Sequence, residues 1–159
     1  MDNAQVPCLL NGFGRIGRLL FRSILSTPSS SIKITHINDV IDVKQSCYLL
    51  KYDSVHGAHD CDVRVNESNG NMVVNGVEVT YSQVTDKKCI ALKDDVAMVL
   101  DCTGDGMTLD SMVSAYISND SYSVRKVLVS GPVKGANNIV RGCNEHLLDD
   151  ANCDVFTNA

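Results

Sequence analysis

The segment Asn11-Gly12-Phe13-Gly14-Arg15-Ile16-Gly17 constrains the fold more than any other part of the chain. It is a G-x-G-x-x-G set between a short apolar run, Val6 to Asn11, and a stretch over residues 15–26. In that stretch Ile16, Leu19, Leu20, Ile24 and Leu25 recur at helical spacing, and Pro28 ends the pattern. Each glycine has a physical task. Gly12 permits a tight turn, Gly14 lets the backbone approach a pyrophosphate, and Gly17 lets the helix pack close on the strand. The helix so opened offers unpaired N–H groups and the positive end of its dipole to an anion. Alone, the motif is a weak signal, because glycine-rich turns also serve as plain connections.

Its context adds weight. Ile32, Ile34 and Ile37 begin a second strand that closes at Asn38-Asp39. Strand, helix and strand within about 35 residues make one βαβ unit. Pro7 cannot donate to a sheet ladder, so a central strand is expected to begin only after it. Asp39 stands 22 positions beyond Gly17, near the ~20 expected of an acid that accepts hydrogen bonds from a ribose. Its charge would also repel a 2′-phosphate, which favours NAD over NADP. The alternative is a capping acid ahead of a second helical stretch at 42–51.

Further along, the apolar period changes twice. A polar loop covers residues 52–57, and residues 62–82 then alternate as short strands punctuated by Asn69-Gly70 and Asn75-Gly76, turn dipeptides of antiparallel hairpins. The run at 96–101 suits a strand covered on both faces, a helix is expected at about 108–119, and Lys126 to Ser130 reads as another buried strand. Thr103-Gly104 and Ser130-Gly131-Pro132 follow strands, where ligands of open parallel sheets lie. The expected fold is α/β: a Rossmann-like, doubly wound, mostly parallel sheet with an inserted antiparallel hairpin region.

Several function classes are disfavoured. The 14 basic and 19 acidic groups leave a net charge of −5, which argues against broad binding to nucleic acid or anionic lipid. No apolar run approaches the ~18 residues of a membrane span, and Met1 to Gln5 is acidic and polar rather than a signal peptide. The seven cysteines are irregularly spaced with no C-x-x-C, so they read as small buried residues in a reducing cytoplasm. His56, His59, Asp60 and Cys61 form no paired metal cluster, His36 and His146 read as packed or surface residues, and Cys153 lacks an adjacent base. Arg15, Arg18 and Arg22 share one helix face; Arg18 and Arg22 are expected to be solvated, whereas Arg15 sits at the phosphate turn. The residues point to a cofactor site without a complete catalytic constellation or a metal site.

The stretch Asn11 to Arg18 is very similar to the opening motif of phosphorylating glyceraldehyde-3-phosphate dehydrogenases. The likeness continues through Ile37-Asn38-Asp39, Leu49 to Gly57, Cys102-Thr103-Gly104, Lys126 to Pro132 and Gly142-Cys143-Asn144. It covers essentially the whole chain and resembles the NAD-binding half of that enzyme. The resemblance implies that Asn11, Gly12, Phe13, Gly14, Arg15 and Ile16 form the pyrophosphate turn, and that Asp39 meets the adenosine ribose. Asn38, Thr103 and Gly104 would line the adenosine side, and Ser130 would approach the nicotinamide. Departures from the pattern are Val40 for proline or threonine, Val84 for an arginine flanking the adenine, Gly106 or Met107 for a phenylalanine, and Cys102 for serine.

For the whole enzyme the resemblance implies a homotetramer that oxidises and phosphorylates a sugar-phosphate aldehyde. A cysteine thiolate forms a thiohemiacetal, hydride passes to NAD, and phosphate releases the acyl group. Phe156-Thr157-Asn158-Ala159 resembles the run into the family's Ser-Cys-Thr-Thr motif. Residues 1–159 are therefore expected to be one NAD-binding domain, with the catalytic cysteine, the histidine base and the C-terminal helix outside them, and to be inactive alone. The alternatives are the cofactor domain of an erythrose-4-phosphate dehydrogenase, or a free-standing nucleotide-binding module.

Overall fold

The computed structural model describes residues 5–92, 95–105, 107–118, 123–149 and 154–158. The expected βαβ unit is β1 (Val6–Asn11), α1 (Arg15–Leu25) and β2 (Ile32–Asn38). Helix α2 (Val43–Lys51) follows, capped by Asp42, whose carboxylate accepts from the Lys44 N–H at 2.8 Å. The polar loop folds on itself as β3 (Tyr52–Asp53) against β4 (Gly57–Ala58). Next comes an antiparallel meander of β5 (Val63–Val65), β6 (Met72–Val74) and β7 (Val77–Ser82). Between β6 and β7, Asn75 and Gly76 take φ of 50° and 80°, the left-handed pair that a two-residue hairpin turn needs.

The parallel pattern resumes with β8 (Met98–Asp101), then β9 (Met107–Thr108) and α3 (Leu109–Met112), which continues as a wider π-type turn to Ile117. Four strands complete the described chain: β10 (Lys126–Val129), β11 (Val133–Lys134), β12 (Asn137–Asn138) and β13 (Val155–Thr157). The main sheet has nine strands in the order β12-β13-β10-β8-β1-β2-β7-β6-β5. It is parallel from β12 to β7, and the last two strands run antiparallel. The inserted meander is thus part of the main sheet, because β7 pairs in parallel with β2. This is a Rossmann-like doubly wound sheet, with β1 between β2 and β8 and the switch point at the carboxyl ends of β1 and β8.

Side chains alternating along β1 feed two cores, one on each sheet face. Cys8 and Leu10 join Phe21, Ile34, Cys47 and Leu50 under α1 and α2. Leu9 joins Met112, Tyr116, Val127 and Val155 on the face covered by α3. The histidine-rich loop contributes Cys61 to the first core, and among the described residues no His, Cys, Asp and Glu group gathers to hold a metal. Among the same residues no helix is long and apolar enough to cross a membrane.

Two expectations are corrected. Strand β1 begins at Val6 and includes Pro7. The Pro7 carbonyl accepts from Ala97 N–H at 3.0 Å, so its missing N–H faces the same flank, ahead of where β8 registers at Cys8 opposite Met98. No ladder bond is lost there. Arg22 is buried, not solvated. Its Nε and Nη2 donate to the Leu50 carbonyl at 2.9 and 2.6 Å, and Nη1 donates to the Gly57 carbonyl at 3.2 Å. It ties α1 to the end of α2 and to β4. Arg18 is half-buried and donates from Nη1 to the Phe13 carbonyl at 2.9 Å. Truncating Arg22 to methionine is expected to cost about 2–3 kcal/mol, since charged hydrogen bonds to buried carbonyls are lost. A urea unfolding midpoint unchanged by that substitution would remove this role.

Candidate functional site

The turn after β1 depends on its glycines in three different ways. Gly12 has φ +88°, and a Cβ there would lie 2.6 Å from the Cys102 carbonyl carbon. A Cβ on Gly17 would lie 2.1 Å from the Gly12 carbonyl oxygen, so α1 seats against the turn only with glycine here. At Gly14, by contrast, no protein atom lies within 4 Å of the Cβ position. Gly14 is the N-cap of α1 and provides no side-chain cap, so the first N–H groups of the helix stay open to an anion.

A cleft of 310 Å³ opens at this end of the sheet. Asn11, Gly12 and Gly14 line it from the turn, Asn38, Asp39 and Val40 from the end of β2, Val84, Thr85 and Lys87 from beyond β7, and Cys102, Thr103 and Asp105 from beyond β8. Four chain segments distant in sequence therefore converge on one crevice.

Asp39 lies between two of these walls. Its carboxylate accepts from the Phe13 N–H and, at 3.0 Å, from the Ile41 N–H, while its own N–H donates to the Ser82 carbonyl at 3.1 Å. A carboxylate offers about four acceptor positions. Capping the local turn and accepting from a ligand hydroxyl are compatible roles.

The remaining expected residues divide. Asn38 lines the cleft, but its amide is fully used within the protein. It donates to Asn11 Oδ1 at 2.8 Å and to the Val84 carbonyl at 2.9 Å, and accepts from Ser82 Oγ at 2.7 Å. The Phe13 ring is buried edge-on against Phe21, 5.8 Å between centroids, so only its backbone belongs to the turn. Arg15 and Ile16 begin α1 with exposed side chains outside the cleft lining, and Arg15 leans toward Asp53 at 3.5 Å. Gly104, at φ +76°, shapes the β8 turn without lining the cleft. Ser130 follows β10, with its N–H on the Asp101 carbonyl at 2.9 Å, and lies outside the lining. Of the departures from the family pattern, Val40, Val84 and Cys102 line the cleft, whereas Gly106 falls outside the described residues, as does Cys153, the cysteine read as lacking a base.

Sequence reasoning missed the polar cluster beneath the cleft. The Asp101 carboxylate accepts from Tyr116 Oη at 2.7 Å, Thr103 Oγ1 at 2.7 Å and Lys87 Nζ at 3.0 Å. Asn11 Nδ2 donates to Tyr116 Oη at 2.6 Å, and Lys87 also donates to Thr103 Oγ1 at 2.9 Å. The side chains of Lys87 and Asp101 are only 9% and 1% exposed. Burial pushes the Asp101 carboxyl up, but the Thr103 hydroxyl, the Lys87 charge and the Tyr116 hydroxyl together hold it below the usual range. Its pairing thus stabilises the fold above the ordinary aspartate pKa of about 4 and is lost as pH falls through the lower folded value. The one signal in the sequence was Asp101 itself, an acid closing an apolar strand at the switch point. Lys87 carried none.

The family model described as glyceraldehyde 3-phosphate dehydrogenase, NAD binding domain, matches residues 6–109. The chain belongs to the glyceraldehyde-3-phosphate dehydrogenase family. Among similar curated proteins, glyceraldehyde-3-phosphate dehydrogenase 1 of Bacillus cereus is 37% identical over 152 residues, 94% of this chain and 43% of that protein. The Haemophilus influenzae enzyme is 37% identical, over 94% of the chain and 42% of its own length. Glyceraldehyde-3-phosphate dehydrogenase B of Aspergillus oryzae is 36% identical, with the same two coverages of 94% and 42%. The chain thus spans less than half the length of the glyceraldehyde-3-phosphate dehydrogenases it matches. NAD is the cofactor of this domain. The cleft suits it: the Cβ position at Gly14 is open, the start of α1 is uncapped, and a carboxylate stands one strand away.

Proposed function

We propose that residues 1–159 form the cofactor half of a dehydrogenase that oxidises and phosphorylates glyceraldehyde 3-phosphate, acting in the cytoplasm as a full-length homotetramer. The observation that carries this reading is the convergence of the open Gly14 position, the uncapped α1 terminus and Asp39 at one cleft. When bound, NAD supplies the hydride acceptor. Backbone N–H groups at the start of α1, at Arg15 and Ile16, hold the pyrophosphate on the turn, Asp39 accepts from the adenosine ribose, and Asn38 and Thr103 border the adenosine half, with Gly104 shaping the turn behind Thr103. Ser130, at the end of β10, borders the nicotinamide half. The work of this half is positioning.

Asp39 sets the choice of cofactor. NAD should bind more tightly than NADP, and Asp39→Ala should narrow the gap by removing the charge facing a 2′-phosphate. Calorimetry giving equal affinities for both dinucleotides in the unsubstituted protein would sink the ribose role of Asp39.

Cys8, Cys47, Cys61 and Cys102 are ill suited to act as the nucleophile, and no histidine partner is identified for any cysteine of the chain. Burial pushes Cys8 up to about 12 and Cys47 up to about 11, and it raises Cys61 and Cys102 as well. Such thiols are mostly protonated at neutral pH. The 159-residue chain should therefore bind NAD yet form no NADH from glyceraldehyde 3-phosphate and phosphate. Absorbance at the reduced-nicotinamide band tests this, and turnover by the pure chain would refute it.

A further inference from the structure

Three Asn-Gly dipeptides occur in the chain, Asn11-Gly12, Asn69-Gly70 and Asn75-Gly76. In each, a backbone nitrogen with no side chain beside it follows a side-chain amide. Their surroundings differ. Asn11 is buried, its Oδ1 accepts from Asn38 Nδ2 at 2.8 Å, and the Gly12 N–H donates to the Asn38 carbonyl at 2.8 Å. Asn69 is exposed, but the Gly70 N–H donates to the Asn66 carbonyl at 2.8 Å, and Asn69 Nδ2 donates to Glu78 Oε1 at 2.9 Å. At the tip between β6 and β7 both Asn75 and Gly76 are exposed, and nothing lies within 4 Å of the Gly76 Cβ position. Among the described residues no acceptor takes the Gly76 N–H. Asn75 is clamped on its other side: its N–H donates to the Asp62 carbonyl at 2.7 Å, and its Oδ1 accepts from the Asp62 N–H at 2.9 Å.

We propose that Asn75 is a site of spontaneous modification, at which the Gly76 nitrogen closes on the Asn75 side-chain carbonyl carbon. The nitrogen gives up its proton to solvent base, the new C–N bond completes a five-membered imide ring, and the side-chain nitrogen leaves as ammonia. Water then opens the ring at either carbonyl, to aspartate or to isoaspartate. The fold supplies two aids. The Asp62 N–H is bonded to the oxygen on which negative charge develops during the attack. The turn itself presents the nucleophile. Reversing the peptide between residues 75 and 76 converts one primed two-residue turn into the other, with ψ of the first residue at about −120°, and leaves the strand ends in place. That rotation brings the Gly76 nitrogen round to the Asn75 side chain, while the two bonds to Asp62 hold the side chain still. Glycine absorbs the accompanying change from its φ of 80°. The product carries a new negative charge, and isoaspartate adds a backbone carbon to the turn that closes the Val74–Val77 pair.

The test is incubation of the folded protein in mildly alkaline buffer, followed by mass analysis of the peptides around the three asparagines and enzymatic counting of isoaspartate. Asn75 should convert about tenfold faster than Asn69 or Asn11, since each of those must first break a hydrogen bond at its glycine nitrogen. In guanidinium chloride the three sites share a dipeptide and no fold, so their rates should draw together. Equal rates in the folded protein, a faster Asn69 or Asn11, or an Asn75 that stays intact while the unfolded chain converts would each overturn the proposal.

Discussion

Asp101→Asn should destabilise the protein by about 3–5 kcal/mol, the cost of leaving a buried ammonium without its counter-charge. The site is unforgiving because the carboxylate also accepts from Tyr116 and Thr103, so one substitution disturbs three donors. In thermal unfolding the loss should appear as a fall of roughly 10 °C for a chain of this size. Replacing both partners, as Asp101→Leu with Lys87→Met, should recover only part of that stability: the uncompensated ammonium is gone, but the buried Tyr116 hydroxyl and the Thr103 hydroxyl still lose their acceptor. If Asp101→Asn costs less than about 1 kcal/mol, Asp105 has taken over the lysine and the pair with Asp101 is not what holds this corner together.

The glycines of the turn give the second large contrast. Gly17→Ala places a methyl group 2.1 Å from a backbone oxygen, and neither backbone segment can yield without unseating α1. The cost should be about 3 kcal/mol or more. Gly14→Ala meets no protein atom. It should leave the unfolding midpoint within about 1 kcal/mol of the original, the usual range for an N-cap change. Yet the new methyl group would occupy space needed by the pyrophosphate, so NAD affinity should fall by ~30–100-fold. Unfolding and titration of the two variants separate these outcomes. A Gly14→Ala protein that binds NAD normally would show that the phosphates do not lie on this turn.

These two sites mark how far the sequence could be read. The turn is local: a strand, three spaced glycines and a helical period occur within about 20 residues, and each task follows from backbone geometry. Strands β2 and β10 were legible for the same reason, as apolar runs bounded by turn residues, and β7 as an alternating stretch after the Asn75-Gly76 turn. The Lys87–Asp101 pair is not local. Its partners come from a 3₁₀ turn, a strand end and a helix, and Asn11 reaches Tyr116 across 105 positions. No periodicity encodes such a meeting. Arg22 failed differently: its spacing puts it on one helix face with Arg15 and Arg18, but spacing does not say what later covers that face. Here the carbonyls of Leu50 and Gly57 do. Pro7 shows the converse, since the rule about proline in central strands applies only where a neighbouring strand is due to receive the bond.

The position of β1 at the middle of the sheet has a consequence for biosynthesis. One flank is paired by β2, complete at Asn38, but the other waits for β8, which begins at Met98. At ~5–20 residues per second, a ribosome needs several seconds to extend the chain between those points. Throughout that interval the nascent chain carries an unpaired edge along Cys8 to Asn11, beside apolar side chains that α3 has yet to cover. Such an edge is a template for pairing with other chains. The cofactor offers no relief in this window: the glycine turn has already been made, but the wall with Thr103 and Asp105 has not left the exit tunnel. Chaperone capture of stalled chains should therefore peak for lengths between β2 and β8 and decline once the residues of β8 have emerged.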